Sequence, residues 1–154
     1  MSRSLDELLE SFLAYLDLER GLSPHTVAAY AQDGRALLAA LPESVRASPA
    51  TLEEKHIFDF IVAERRRGRS VPSVRRSLSA IRTFCRFLLR ERVLKANPTT
   101  NLEAPKTWKV LPDVLEVEEV ERILRAVAEH PSRFPHRDRA LIELGYATGL
   151  RVSE

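Results

Sequence analysis

The stretch VPSVRRSLSAIRTFCRFLLR, Val71 to Arg90, constrains this chain more than any other. Val74, Leu78, Ile81, Cys85 and Leu88 recur at three- and four-residue spacing, which places them on one stripe of a helix and on no face of a strand. At 100° per residue, Arg75, Ser79, Arg82, Arg86 and Arg90 form a second stripe, and the twenty residues contain no acid. The spacing predicts a helix from near Val71 to about Arg92, apolar on one side and basic on the other. Its apolar stripe needs other helices to cover it.

The rest of the chain supplies them. Ser4-Leu5-Asp6-Glu7 has the form of a capping box, and Leu5, Leu8, Leu9, Phe12, Leu13 and Leu16 behind it predict a first helix to about Glu19. Gly21 breaks it. Ser23-Pro24 reads as a cap followed by a first-turn proline, opening a second helix with Val27, Tyr30, Leu37, Leu38 and Leu41 inward. Residues 42–50, with two prolines and two serines, read as a loop. Thr51-Leu52-Glu53-Glu54 reads as another capping box, starting a helix that carries Ile57, Phe58, Phe60 and Ile61 and ends at Arg65-Arg66-Arg67-Gly68. Asn97-Pro98 terminates the fourth helix. The expected fold class is mainly α, with a four-helix domain over 1–97.

Residues 98–112 contain three prolines and no sustained periodicity, and are expected to link domains. Beyond them, Glu116 to Glu121 opens a helix through Val120, Ile123, Leu124 and Val127. His130 to His136 is a loop, and a further helix runs from Arg137 to Thr148, stopped by Gly149.

Several function classes drop out. No apolar run approaches a membrane span or a secretory leader, so the expectation is a soluble, cytoplasmic chain without a membrane partner. A single cysteine, Cys85, excludes an internal disulfide framework and a cysteine-rich zinc site; it falls on the apolar stripe and reads as a core thiol. The four histidines have no metal-ligand spacing, and no glycine loop cradles a phosphate, so neither metal, cofactor nor small-molecule substrate is expected. Trp108 reads either as an anchor between domains or as a partly exposed apolar residue.

Net charge is only +2, but it is segregated. From Val62 to Lys95 there are eleven basic residues against two acidic ones, which leaves the remainder of the chain acidic. Such a block points to a polyanion, and a rod bearing a row of guanidinium groups fits the major groove of duplex DNA. Aromatic residues do not interleave with the arginines, which favours duplex over single-strand binding. The candidate DNA contacts are Arg69, Arg75, Arg76, Ser79, Arg82 and Arg86, with Lys106 and Lys109 in the linker. Ser23, His25 and Thr26, at a helix amino end, either hold a phosphate or simply cap the helix. If about five side chains meet phosphates, log affinity falls against log salt with a slope near −4 to −5.

Four ordered segments, FLAYLDLERGLSPHTVAAYAQD, SLSAIRTFCRFLLRERVLKANPT, APKTWKVLPDVLEVEEV and RDRALIELGYATGLRVSE, resemble successive parts of the Xer-type tyrosine recombinases of the lambda-integrase-like family. The resemblance covers about Phe12 to Glu154. It implies that 1–97 is a helical core-binding domain, 98–112 a linker, and 113–154 the opening helices of a mixed α/β catalytic domain, truncated. Arg151 then matches the arginine that binds the scissile phosphate, and Glu154 the acidic position supporting it. An arginine suits that task because its planar fork binds two phosphoryl oxygens as charge grows on them. Without the family, Arg151 and Glu154 read as an i, i+3 ion pair at a helix start.

The family's remaining catalytic groups, a lysine, a His-x-x-Arg motif, a further His or Trp and the nucleophilic tyrosine, are expected downstream. Tyr15, Tyr30 and Tyr146 match no nucleophile position. The chain therefore reads as the amino-terminal portion of a recombinase or as the product of a shortened gene. The whole protein would recombine DNA at a specific site as a tetramer on two duplexes. Alternative readings are a non-catalytic protein occupying recombination sites, and a helical module whose basic face meets an acidic protein. Chromosome-dimer resolution and phage or transposon integration both remain open.

Overall fold

The computed structural model describes residues 3–105, 113–130 and 132–151. The chain divides into two compact units, Met1–Trp108 and Lys109–Glu154. The described residues contain helices and no strand.

In the first unit, α1 (Leu5–Ala14) begins at the expected capping box: the Ser4 amide donates to Glu7 Oε2 at 2.8 Å and the Glu7 amide to Ser4 Oγ at 3.3 Å. Its carboxyl end widens into a π-turn over Tyr15–Glu19 and stops where Gly21 takes a φ of 58°. Helix α2 (Pro24–Ala40) starts at Ser23, with Pro24 in its first turn. Helix α4 (Glu54–Arg66) and helix α5 (Val71–Arg90) follow the short α3 (Glu43–Ala47).

The apolar stripes close into one core. Leu5, Leu8, Leu9, Phe12 and Leu16 meet Leu37 and Leu38 of α2, Ile57 and Phe60 of α4, and Leu78, Ile81, Phe84, Cys85 and Leu88 of α5. Phe12 sits at its centre, with ring centroids 5.2 Å from Phe84 and 5.4 Å from Phe87. Helices α1 and α2 cross closely enough that a Cβ on Gly34 would lie 2.5 Å from Leu9 Cδ1. Every residue predicted for the apolar stripe of α5 is buried.

Two local expectations are corrected. Residues 42–50 are not a simple loop, since they contain α3 and the start of a 3₁₀ turn over Pro49–Thr51. That turn occupies Thr51, whose hydroxyl donates to the Ser48 carbonyl at 2.7 Å, so the cap of α4 moves to Glu53. There the reciprocal bond comes from His56, whose Nδ1 accepts from the Glu53 amide at 3.0 Å. Phe58 is 55% exposed: Ile57 and Phe60 take the inward direction of α4, and Phe58 lies about 100° round from Ile57.

Residues 98–105, the first part of the expected linker, pack against this unit. Thr99 is buried and donates its amide and hydroxyl to Asn97 Oδ1 at 2.9 and 2.7 Å, while Leu102 and Ala104 lie on the core.

In the second unit, α6 (Val117–Glu129) is capped by Glu116, whose amide donates to Glu119 Oε2 at 3.0 Å. Helix α7 (Pro135–Thr148) starts two residues earlier than expected, because Pro135 serves in its first turn. It ends at Gly149, φ 64°, whose amide reaches the Gly145 carbonyl. Val120 is buried, whereas Leu141, Leu144 and Leu150 are exposed.

Candidate nucleic-acid interface

The twist of α5 determines which arginines share a direction. Arg75, Ser79, Arg86 and Arg90 fall within about 60° of arc, with Arg76 about 40° beyond one edge and Arg82 about 20° beyond the other. The four central residues are exposed. Arg86 donates to Thr83 Oγ1 at 3.3 Å, and the Arg90 guanidinium stacks 3.9 Å above the Tyr15 ring.

The flanking arginines both have protein partners, although Arg76 stays 44% exposed. Arg76 Nη1 lies 3.0 Å from Oδ2 of Asp33, a carboxylate on α2 with no exposure at all. That contact lacks the alignment of a good hydrogen bond, so Oδ2 is held by charge more than by a directed donor. Arg69 donates to Asp33 Oδ1 at 3.0 Å and to Glu64 Oε2 at 2.7 Å, and Glu64 also accepts from Arg67 at 3.0 Å. Burial works against the charge on Arg69, but the two carboxylates prevail and raise its pKa above the ordinary value. These ion pairs join α2, α4 and α5. Arg82 donates to the main-chain carbonyl of Leu102.

Arg69, Arg76 and Arg82, all expected at the DNA surface, are found with protein partners, and of the three only Arg76 remains well exposed. Asp33 and Glu64 were missed altogether. The signal for Asp33 was present: it follows Tyr30 by three residues and precedes Leu37 by four, on the inward side of α2, where a carboxylate must find a cation.

Ser23 caps α2, its Oγ accepting from the Thr26 amide at 3.3 Å and lying 2.9 Å from Thr26 Oγ1; His25 is exposed beside them. Leu22 lines a groove of about 410 Å³ together with Arg20, Tyr30, Thr83, Arg86 and Arg90. The amino end of α2 thus stands beside the carboxyl half of the α5 ridge. Ser70 caps α5 in the same manner, accepting from the Ser73 amide at 3.4 Å.

Cys85 is buried, and burial pushes its thiol up to about 12, as the core reading requires. Arg151 is exposed in the second unit, two residues after the left-handed Gly149. Glu154, Lys106, Lys109 and Trp108 lie outside the described residues. Among the described residues there is no cluster of metal-ligating side chains and no helix long and apolar enough to cross a membrane.

Residues 9–92 match the family model of the phage integrase, N-terminal SAM-like domain, which spans more than half of the chain. The chain belongs to that family. It is 38% identical over 150 residues to the tyrosine recombinase XerC of Xylella fastidiosa (strain M23), covering 97% of this chain and 50% of the relative. It is 43% identical over 148 residues to XerD of Chlorobaculum tepidum, covering 95% and 48%. The chain therefore spans about half the length of the curated relatives it matches, and corresponds to the amino-terminal portion of a Xer-type tyrosine recombinase.

Solved structures with the same fold include a lambda integrase(75-356) dimer bound to a COC' core site, with a TM-score of 0.72 at 23% identity, covering 97% of this chain and 51% of that one. A lambda integrase tetramer bound to a Holliday junction gives 0.73 at 23% identity, covering 98% and 42%.

Proposed function

We propose that this chain is the duplex-DNA-binding portion, with the opening of the catalytic portion, of a site-specific tyrosine recombinase. The observation that carries the reading is the exposed basic ridge of Arg75, Ser79, Arg86 and Arg90 on α5, a helix without an acid whose last arginine meets Glu91, just beyond its end, at 3.7 Å; the ridge stands beside the capped amino end of α2. Guanidinium groups on a ridge bind phosphates or the O6 and N7 of guanine, while helix amino ends and hydroxyls receive phosphate oxygens. Arg76, 44% exposed though paired with Asp33, adds to the positive field at the edge of the ridge.

In the whole protein, a tyrosine oxygen would attack a backbone phosphorus, forming a 3′-phosphotyrosine and releasing a 5′-hydroxyl; a second hydroxyl would later reverse the exchange on another strand. No metal or high-energy cofactor is needed, because the ester bond is conserved. Arg151 would bind the non-bridging oxygens of the scissile phosphate, with Glu154 in support. Assembly as a multimer on two duplexes, in the cytoplasm, completes the proposal; that the solved lambda integrase structures include a DNA-bound dimer and a tetramer on a Holliday junction supports it.

A gel-shift titration at low ionic strength tests the DNA reading. The protein is expected to shift duplex DNA, and excess polyglutamate is expected to compete poorly. Equal competition by the acidic polypeptide would instead identify a protein-binding module.

A further inference from the structure

Helix α5 and the 99–104 segment of the first unit are joined by one arginine on the flank of the ridge. We infer that Arg82 is a positioning residue that pins the 99–104 segment to α5 and does not itself bind DNA.

Three observations converge on it. First, Arg82 lies on the flank of the arginine ridge and is half-buried, whereas Arg75 and Arg86 are exposed. Second, its guanidinium donates to the Leu102 carbonyl, so a charged donor satisfies a main-chain acceptor that no helix or strand serves. Third, the segment is fastened at other points as well. Thr99 is buried in the Asn97 turn, the Asn101 side chain donates to Glu54 Oε2 of α4 at 3.2 Å, and Leu102 packs on the core. Asn101 and Leu102 thus tie adjacent links of the chain to two different helices, and Arg82 is the α5 tie. A flexible tether would need none of these bonds, and the combination fixes the course of residues 99–104 along the first unit.

A guanidinium committed to Leu102 is not available to a phosphate without releasing the segment. Arg82 and Arg86, four residues apart on one helix, therefore have separable roles. The DNA half of this statement rests on the proposed function above; the anchoring half does not.

The test compares Arg82→Ala with Arg86→Ala by amide hydrogen exchange and by the salt dependence of duplex binding. The amides of Thr99, Thr100 and Leu102, which donate to Asn97 Oδ1, Asn97 O and Thr99 O, report on the segment. Arg82→Ala is expected to speed their exchange roughly tenfold, with the melting temperature and the α5 amides unchanged, and to leave the salt slope as it was. Arg82→Lys, which keeps a donor, is expected to restore most of the protection. Arg86→Ala is expected to do the reverse, leaving exchange unaltered and reducing the slope by about one. Unaltered exchange in Arg82→Ala, or a slope reduced by one, overturns the assignment. If Arg82→Ala lowers the melting temperature, Arg82→Met, which retains the aliphatic stem, repeats the comparison with the same criteria. Should the wild type not bind DNA, the exchange measurements still decide the anchor while the functional proposal falls.

Discussion

Replacing Asp33 by Asn removes one charge from a site that water does not reach and leaves two guanidinium groups without their shared carboxylate. Breaking a buried pair from one side typically costs about 3–5 kcal/mol; because Arg76 keeps 44% exposure, about 3 kcal/mol is expected for Asp33→Asn, read from urea unfolding. A loss under about 1 kcal/mol would mean that the pairs contribute nothing beyond a surface salt bridge. Cys85 gives a prediction in pH. Burial raises its thiol from 9.0 to about 12, so well below pH 9 both states are protonated and its contribution to stability is complete. Above that, the unfolded chain loses the proton first, and stability falls by up to about 1.4 kcal/mol per pH unit until the folded thiol titrates. The difference in unfolding free energy between wild type and Cys85→Ala, followed from pH 8 to 11, isolates this effect. A flat difference would contradict the burial.

At the scale of the element, helix ends decide more than helix middles. Helix α5 closes with the Val93 amide on the Leu88 carbonyl at 2.9 Å and the Arg92 amide on the Leu89 carbonyl at 3.0 Å, a Schellman turn that needs a left-handed residue between helix and exit. That residue is Arg92, at a φ of 58°, where α4 uses Gly68 and the π-turn after α1 uses Gly21. Arg92→Gly is therefore expected to stabilise the protein by about 0.5–1 kcal/mol, seen as a higher melting temperature; a lower one would show that the Arg92 side chain contributes more than its backbone costs.

The periodic elements were legible because their spacing is set by burial: α1, α2, α5 and the Gly149 stop appear where the apolar pattern and capping residues place them. The start of α4 was not, since Thr51 and Glu53 both suit a cap and only the preceding 3₁₀ turn selects between them.

Across the whole molecule, the family was legible in four ordered segments, and the basic character of α5 in its lack of acids. Which arginine faces outward was not. Arg69 and Arg82 look like Arg75 and Arg86 in sequence; in the fold the first two are drawn in to Asp33, Glu64 and the Leu102 carbonyl and are less exposed than the second two. With Arg69 and Arg82 drawn in to protein partners, the guanidinium groups that stay well exposed are those of Arg75, Arg86, Arg90 and, at 44% exposure beside Asp33, Arg76, so the expected phosphate contacts fall from about five to about four and the salt slope with them.

The central claim is tested most directly by duplex binding measured by fluorescence anisotropy across a salt series, for the wild type and for Arg75→Ala/Arg86→Ala. The account predicts a wild-type slope of log affinity against log salt of about −3 to −4, reduced in magnitude by about two in the double variant. A wild-type slope near zero, or the same slope in both proteins, would contradict it.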